Sequence, residues 1–476
     1  MNFKTLPFTH QMNSFNLAKD KKYWGHFHEM GAGKTKIAID TANYLHMHNK
    51  IDAVLVVAPN GIHTNWANKE VPQHSFHPTI DYLWDGRPTS QKKKRALASF
   101  LDEEGFLWLY INVEAIRTKA GLDLCEEFCK NHKTLMIVDE STIIKTPKAL
   151  QTKSAIYLGS LCRYRRILTG TPITQGPLDF FSQCKFLERN SIPYSSFTAF
   201  RNNFARQRQV VLNSGKRFNQ IIGYQNLDQL SGLVKPFSDR ILKSECLDLP
   251  QKLYQQRAVP LATEQRRLYG EMRDLYVSQL QEEHRIKGFV TATNALTLTM
   301  KLQQIATGFI KDDEGQIHQI PNNRLEVLSD LLEGFTGKAI IWCCFRENIH
   351  SVSAHLRERY GSGSVVTYFG DTSREERAQA IDLFQHNDEC RFFISNKTGA
   401  EGITLTAAEY SIYYSNSYSL HTRLQSEDRN HRIGQTKNVL YTDLYCPGTV
   451  DEKILKALKT KADLAETILT DWRDVL

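Results

Sequence analysis

The sequence lacks the features that would tie it to a structural metal, a bilayer or a secretory route. Its nine cysteines include no Cys-x-x-Cys pair. Neither "CEEFC" nor "CC" has zinc-site spacing, so the pattern predicts reduced thiols in a cytoplasmic protein. No apolar run approaches the ~20 residues that span a bilayer, and the longest, such as "AIIWCCF", have strand length. "MNFKTLPFTH" lacks the basic-then-apolar order of a secretory leader. Tandem repeats and low-complexity linkers are absent. The net charge of +8 is small for 476 residues and does not mark a dedicated basic domain. Its distribution says more. "QKKKR" (91–95), "RYRR" (163–166) and "RNNFARQRQVVLNSGKR" (201–217) are each an ordinary solvated patch taken singly; together they favour a polyanionic partner.

Short apolar, β-branched runs recur along the chain: "DAVLVVAPN", "TLMIVDE", "YRRILTGTP", "KAIIWCCF", "VVTYFG", "CRFFISN" and "YSIYYSN". Runs of this length ending in Gly, Asn, Asp or Pro predict buried parallel strands whose carboxyl ends carry function. Helical segments such as "GKTKIAIDTANYLHMHNK" and "REERAQAIDLFQHN" lie between them, giving α/β alternation. The strands fall into two clusters, roughly 50–170 and 338–445. "PLDFFSQCKFLERN", "ATEQRRLYGEMRDLYVSQLQEEHRIKG" and "ALTLTMKLQQIATGF" between them have helical periodicity. The expectation is two α/β lobes, residues 1–245 and 246–476, with helical insertions at about 178–240 and 262–310.

"HFHEMGAGKTKIAID" leads into an amphipathic helix after only "KKYWGHF", which is no long strand. Gly31 and Gly33 let backbone N–H groups approach an anion. Lys34 reaches β- and γ-phosphates, Thr35 ligates magnesium, and the helix N-terminus adds a favourable field. His28 stands where the full phosphate-loop pattern has its first glycine. "LMIVDEST" supplies what a lone GKT cannot: a strand delivering Asp139 to hold magnesium and Glu140 to activate water. Near the other end, "QSEDRNHRIGQTKNV" sets Arg429 and Arg432 one helical turn apart, with Gln425 one turn earlier, so on a helix all three share a face. The ordinary reading is a solvated helix face; the other is a pair of arginines waiting for an anion.

The ordered set "EMGAGKT", "APNGIHTNW", "YINVEAI", "DESTIIKT", "LTGTP", "GAEGITLTAA" and "QSEDRNHRIGQ" resembles superfamily 2 helicase-type ATPases. Within them it looks like the SWI/SNF-like branch, especially small stand-alone phage and bacterial members. The resemblance implies two tandem RecA-like parallel-sheet lobes, with ATP and Mg2+ as cofactors. Carried over by position, it makes Lys34, Glu140, Arg429 and Arg432 catalytic. It gives nucleotide contacts to Gln11 (reading adenine), Gly31, Gly33, Thr35, Asp139, Gly402 and Gln425. It makes Thr169 and Thr171 residues that couple nucleotide to DNA, and assigns DNA contacts to Thr64, Asn112, Lys145, Lys397 and Thr398. Three departures stand out. Ser141-Thr142 replaces the end of DEAH, so the histidine linking the lobes is missing; "SYSLHTR" replaces a Trp-Asn-Pro segment; and His28 replaces an aspartate.

The implied activity is ATP-dependent translocation on double-stranded DNA, remodelling branched or forked DNA in recombination, repair or replication, by a monomer without a membrane partner. The alternatives are a strand-separating helicase, for which the sequence shows no clear wedge hairpin, a motor that displaces DNA-bound protein, and an inactive nucleotide-gated clamp, which intact Lys34, Glu140 and arginines oppose. Nothing resembles a bromodomain, chromodomain, zinc finger or nuclease.

Overall fold

The computed structural model describes residues 2–211, 217–286, 292–312, 314–400 and 402–470. The chain folds as two compact units. The first comprises residues up to Gln207, Ile221–Asp248 and the chain from Asp463; the second comprises Arg208–Gln220 and Leu249–Ala462.

In the first unit the strands are β1 (Tyr23–His26), β2 (Ala53–Ala58), β3 (Ile80–Leu83), β4 (Leu107–Asn112), β5 (Thr134–Asp139) and β6 (Tyr164–Leu168). A two-stranded pair, β7 (Ala205–Val211) and β8 (Arg217–Tyr224), of which Arg208–Val211 and Arg217–Gln220 are counted with the second unit, precedes a short β9 (Ser238–Asp239). The seven-stranded parallel sheet runs β3-β4-β2-β5-β6-β1-β9. Successive side chains of a strand point to opposite faces, and here both faces are covered. Leu55, Val57, Met136 and Val138 join one apolar cluster, while Val54, Val56, Leu135 and Ile137 join the other. That two-sided burial is why these strands read as continuous apolar runs.

The second unit repeats the plan with β10 (Lys252–Ala258), the small antiparallel pair β11 (Phe309–Lys311) and β12 (Ile317–Gln319), β13 (Lys338–Trp342), β14 (Val365–Tyr368), β15 (Phe392–Ser395), β16 (Ala408–Tyr413) and β17 (Val439–Tyr445). Its six-stranded parallel sheet has the order β10-β17-β16-β13-β15-β14. Arg324 is fully buried here. Its guanidinium donates to Ala306 O at 2.9 Å, to Leu444 O at 3.2 Å, to Tyr414 O and to the Asp451 carboxylate. A charge removed from water is tolerable only when its donors are satisfied in this way.

Two parallel-sheet α/β units are therefore present, as the resemblance implied. Several details differ from the sequence reading. The first sheet begins at Tyr23, well before residue 50, and takes its edge strand from Ser238–Asp239. The stretch expected to be a helical insertion holds the helices Phe180–Leu187, Phe197–Phe204 and Leu227–Val234, but also the β7–β8 pair. No helix among the described residues is long and apolar enough to cross a membrane.

Candidate nucleotide site

Four residues of strand suffice to aim the phosphate loop. β1 pairs with β6 as far as His26↔Leu168, and the chain then turns through Phe27–Gly33 into the helix Lys34–Met47. Gly31 and Gly33 both have φ of 84°, a conformation that costs an L side chain ~1–2 kcal/mol. A methyl at Gly33 would also lie 2.1 Å from Gln11 Nε2. Gln11 packs against this turn, its Oε1 accepting from Phe8 N at 3.0 Å and its Nε2 donating to Ala32 O at 3.5 Å. Lys34 is buried, and its Nζ donates to the loop's own carbonyls, His28 O at 2.9 Å and Glu29 O at 3.3 Å. An ammonium folded back on its loop is positioned to exchange carbonyls for phosphate oxygens. Thr35, half-buried, is the second residue of the helix. Along the helix that carries Gln11, a cavity of about 600 Å³ is lined by His10, Asn13, Ser14 and Leu17 together with Asp239 and Arg240.

The carboxylates sit at the end of β5, separated from β1 in the sheet by β6. Asp139 closes β5, paired to Leu168, and its Oδ2 accepts from Trp66 Nε1 at 2.8 Å while Oδ1 accepts from Glu140 N at 2.9 Å. Burial pushes its pKa up to about 6. The neighbouring Glu140 charge adds to that rise, and Trp66 and the Lys34 charge oppose it. A buried carboxylate with a carboxylate beside it is short of positive charge, which is what a magnesium ion brings. Glu140 has φ of 49°, a left-handed conformation that a β-carbon disfavours and that recurs where geometry serves chemistry. The donor set fits ATP with Mg2+.

The "LTGTP" loop lies against the phosphate loop. A methyl on Gly170 would come within 3.1 Å of Met30 N and 3.2 Å of His28 O. Thr169 is buried, its N donating to His26 O at 3.1 Å, and Thr171 N donates to Thr169 Oγ1 at 3.1 Å. Both threonines thus stand next to the nucleotide elements. Of the expected DNA contacts in this unit, Thr64 is half-buried in the turn Ile62–Asn65. Asn112 ends β4 with Nδ2 donating to Glu114 Oε2 at 3.2 Å. Lys145 Nζ donates to Thr174 Oγ1 and lies 3.8 Å from Asp179 Oδ2.

In the second unit the helix Leu420–Glu427 carries Gln425 but ends before either arginine, so the expected shared helix face is not formed. The two arginines meet in another way. Arg429 Nη1 donates to Ile403 O at 2.9 Å, and Arg432 Nη1 donates to the same carbonyl at 3.3 Å and to Thr404 Oγ1 at 3.0 Å. Arg429 is only 7% exposed and also donates from Nε to Gln425 O at 2.9 Å and from Nη2 to Asp428 Oδ2 at 3.2 Å. The reading as a solvated face therefore fails for Arg429, whereas Arg432 is half-exposed. The same Ile403 follows Gly402, whose φ is 75° with open space beside its α-carbon. Thr398 lies in the turn Lys397–Ala400, its N donating to Asn396 Oδ1 at 3.0 Å. The Lys397 side chain lies outside the described residues.

Three residues were missed in the sequence. Trp66, read only as the end of "APNGIHTNW", orients Asp139. Gln183 accepts from Ser141 Oγ at 2.6 Å and donates to Pro172 O at 2.9 Å, tying the carboxylate turn to the "LTGTP" loop. Asp239 receives both histidines of "HFH". Each partner is far away in sequence, so no local signal marked it.

Two family models match the chain. The SNF2-related domain matches residues 26–308, and the helicase conserved C-terminal domain matches residues 323–434. An uncharacterized ATP-dependent helicase of Mycoplasma pneumoniae is 26% identical, over 93% of this chain and 40% of its own length. The SWI/SNF chromatin-remodeling complex subunit snf22 of Schizosaccharomyces pombe is 27% identical, over 92% of this chain and 26% of its length. The chain spans less than half the length of these relatives. Among solved structures, the Sulfolobus solfataricus SWI2/SNF2 ATPase core in complex with dsDNA aligns over 99% of this chain and 94% of that one, with a TM-score of 0.43 and 22% identity. With its SNF2-related domain covering more than half of the residues, the chain belongs to the SNF2-related family.

Proposed function

We propose that the chain hydrolyses ATP with Mg2+ and couples hydrolysis to movement along double-stranded DNA, working as a monomer on branched or forked DNA in recombination, repair or replication. The observation that carries the reading is the presence, in one sheet of one unit, of a buried phosphate-loop lysine after β1 and a buried Asp139–Glu140 pair at the end of β5, with β6 between the two strands. Lys34 neutralises phosphate charge, Thr35 and Asp139 hold the metal, and Glu140 orients and deprotonates the attacking water. Magnesium, when bound, spreads the charge developing on the phosphate oxygens. Arg429 and Arg432, converging on the Ile403 carbonyl, supply the planar donors that suit those oxygens better than an ammonium would. The test is ATP turnover with no nucleic acid, single strands, duplex, forks, four-way junctions and RNA. Duplex or branched DNA should stimulate most. Lys34→Ala should weaken ATP binding. Glu140→Gln should keep binding but lower turnover by ~10² or more, and near-normal hydrolysis by it would remove the base assignment.

One observation favours a strand-separating helicase as the second reading. The β7–β8 pair exposes Val211, Phe218 and Ile222 beside Arg206, Arg208 and Arg217, with no acidic residue in either strand. Apolar side chains flanked by guanidinium groups suit unstacked bases between phosphates. Strand displacement from a forked duplex, compared between wild type and Phe218→Ser/Ile222→Ser, decides between the readings.

A further inference from the structure

The segment Ser238–Lys243 runs beside the phosphate loop and is bonded to it at successive points. β9 pairs Gly25 with Ser238 and His26 with Asp239. Phe27 N then donates to Asp239 O and Glu29 N to Ile241 O, each at 2.9 Å, and Lys243 N donates to Glu29 Oε2 at 2.7 Å. Side chains reinforce the backbone. The Asp239 carboxylate takes His28 Nε2 at 2.6 Å, His26 Nδ1 at 3.1 Å and Trp24 Nε1 at 2.6 Å. The Lys243 chain lies over the loop, Cε 3.5 Å from where a methyl on Gly31 would stand.

His26, His28 and Asp239 have the composition of a metal site, with one donor atom from each within 4.8 Å of the others. The far nitrogens decide against that reading. His26 Nε2 and His28 Nδ1 are buried with no hydrogen-bond partner among the described residues. A ring that ligated a metal through its near nitrogen would carry its proton on the far one, with no acceptor. The protons therefore belong on the nitrogens facing Asp239, and the cluster is a hydrogen-bonded clamp.

The clamp holds the same two residues whose carbonyls hold Lys34. His28 O and Glu29 O accept from Nζ, while the His28 ring and the Glu29 carboxylate grip Asp239 and Lys243 N. Phosphate that draws Nζ away from those carbonyls changes the peptide groups to which the clamp is fastened. Beyond Lys243 the chain continues to Asp248, where it leaves the first unit, and Leu249 opens the long stretch of the second. We infer that Asp239, with the Glu29–Lys243 contact, is a positioning device that reports occupancy of the phosphate loop to the connecting segment Ser238–Asp248. This rests on the reading that Lys34 binds nucleotide phosphate.

The test is hydrogen exchange on the full chain, with and without a non-hydrolysable ATP analogue, beside a separate measurement of that analogue's affinity. In wild type, the analogue should change exchange in peptides covering 238–248 by about fivefold or more. Asp239→Asn should lose that response while affinity stays within about threefold, and the in-place swap His28→Asp/Asp239→His should recover it. Trp24→Phe, which removes one donor to the carboxylate, should give a partial loss and serves if Asp239→Asn does not fold. No exchange response in nucleotide-bound wild type overturns the relay. So does a normal response in Asp239→Asn, or affinity and response lost together without recovery in the swap. Wild type that binds no nucleotide would instead overturn the functional reading, and the affinity measurement shows that separately.

Discussion

The two arginines share one carbonyl but differ in what each does for the fold, and that difference sets what their removal reports. Arg429 donates to Gln425 O and Ile403 O in a nearly dry environment; Arg429→Ala should cost ~1–3 kcal/mol of stability through the donors those buried acceptors lose, although Ile403 O keeps its bond from Arg432. Arg432 is half-exposed, and Arg432→Ala should melt like wild type. Loss of either should leave ATP affinity within about tenfold and cut DNA-stimulated turnover by ~10² or more. The clean measurement is therefore Arg432→Ala turnover, with Lys437→Ala as charge control; equal turnover in the two would leave Arg432 a solvated arginine. His26 makes a different claim. Burial pushes its pKa down to about 4, helped by His28 and Arg166 and opposed by Asp239. The unfolded chain takes up this proton near the ordinary value of ~6.5 and the folded chain only near 4, so between those values the unfolded state binds more protons. The contribution is complete above pH ~6.5 and falls away toward pH 4, by ~3 kcal/mol. Asp40, raised to about 6 chiefly by burial, runs the other way, so absolute stability hides the effect. The difference between wild type and His26→Asn isolates it: whatever the substitution costs at pH 7.5 should shrink by ~3 kcal/mol at pH 4 in urea unfolding. A pH-independent difference would mean that His26 is not held neutral.

At the scale of elements, the turn between β1 and its helix separates strain from crowding. Gly31→Ala and Gly33→Ala incur the same left-handed strain, but only the second drives a methyl into Gln11. Gly33→Ala should therefore weaken ATP binding by about tenfold more than Gly31→Ala. It should also narrow the preference for ATP over GTP, since the displaced Gln11 amide is the group proposed to read adenine. Equal preferences in the two variants would detach Gln11 from base recognition. Much of this element structure was legible beforehand. "DAVLVVAPN", "TLMIVDE" and "KAIIWCCF" announce strands because both faces are buried, and the GKT and DE motifs announce the site because their chemistry is local. β1 was illegible as a strand at four residues. β10, "KLYQQRA", was illegible because it is a mostly exposed edge strand held by its pairing with β17. The arginine turn misled because spacing of three and four residues suggests a helix, whereas the chain leaves the helix at Glu427 and brings the arginines together through Ile403. Asp239, more than two hundred residues from the histidines it receives, has no sequence signal that periodicity or motif could read.

For the whole molecule, the proposed function turns on what a hydrolysis cycle does to DNA. A motor that steps along duplex must grip phosphates, since any base-specific hold would stall it. The residues proposed for that grip, Thr64, Asn112 and Thr398, end a strand or lie in short turns. Stimulation of turnover by duplex should therefore be indifferent to base sequence and fall steeply as salt rises from ~50 to 200 mM. Translocation without strand opening has a distinct signature. The protein should displace the third strand from a triplex, because the Hoogsteen-paired strand lies in the path of a motor tracking the duplex, and it should move a four-way junction, where every pair broken is replaced by a pair formed. It should open a long blunt duplex poorly, because each step there must meet ~1.4 kcal/mol of stacking with nothing re-formed. The three substrates, measured on one preparation at one salt, separate the readings. Efficient opening of the blunt duplex would transfer the case to the helicase reading and to the β7–β8 pair, while triplex displacement with the blunt duplex intact would leave that pair without a strand-separating role.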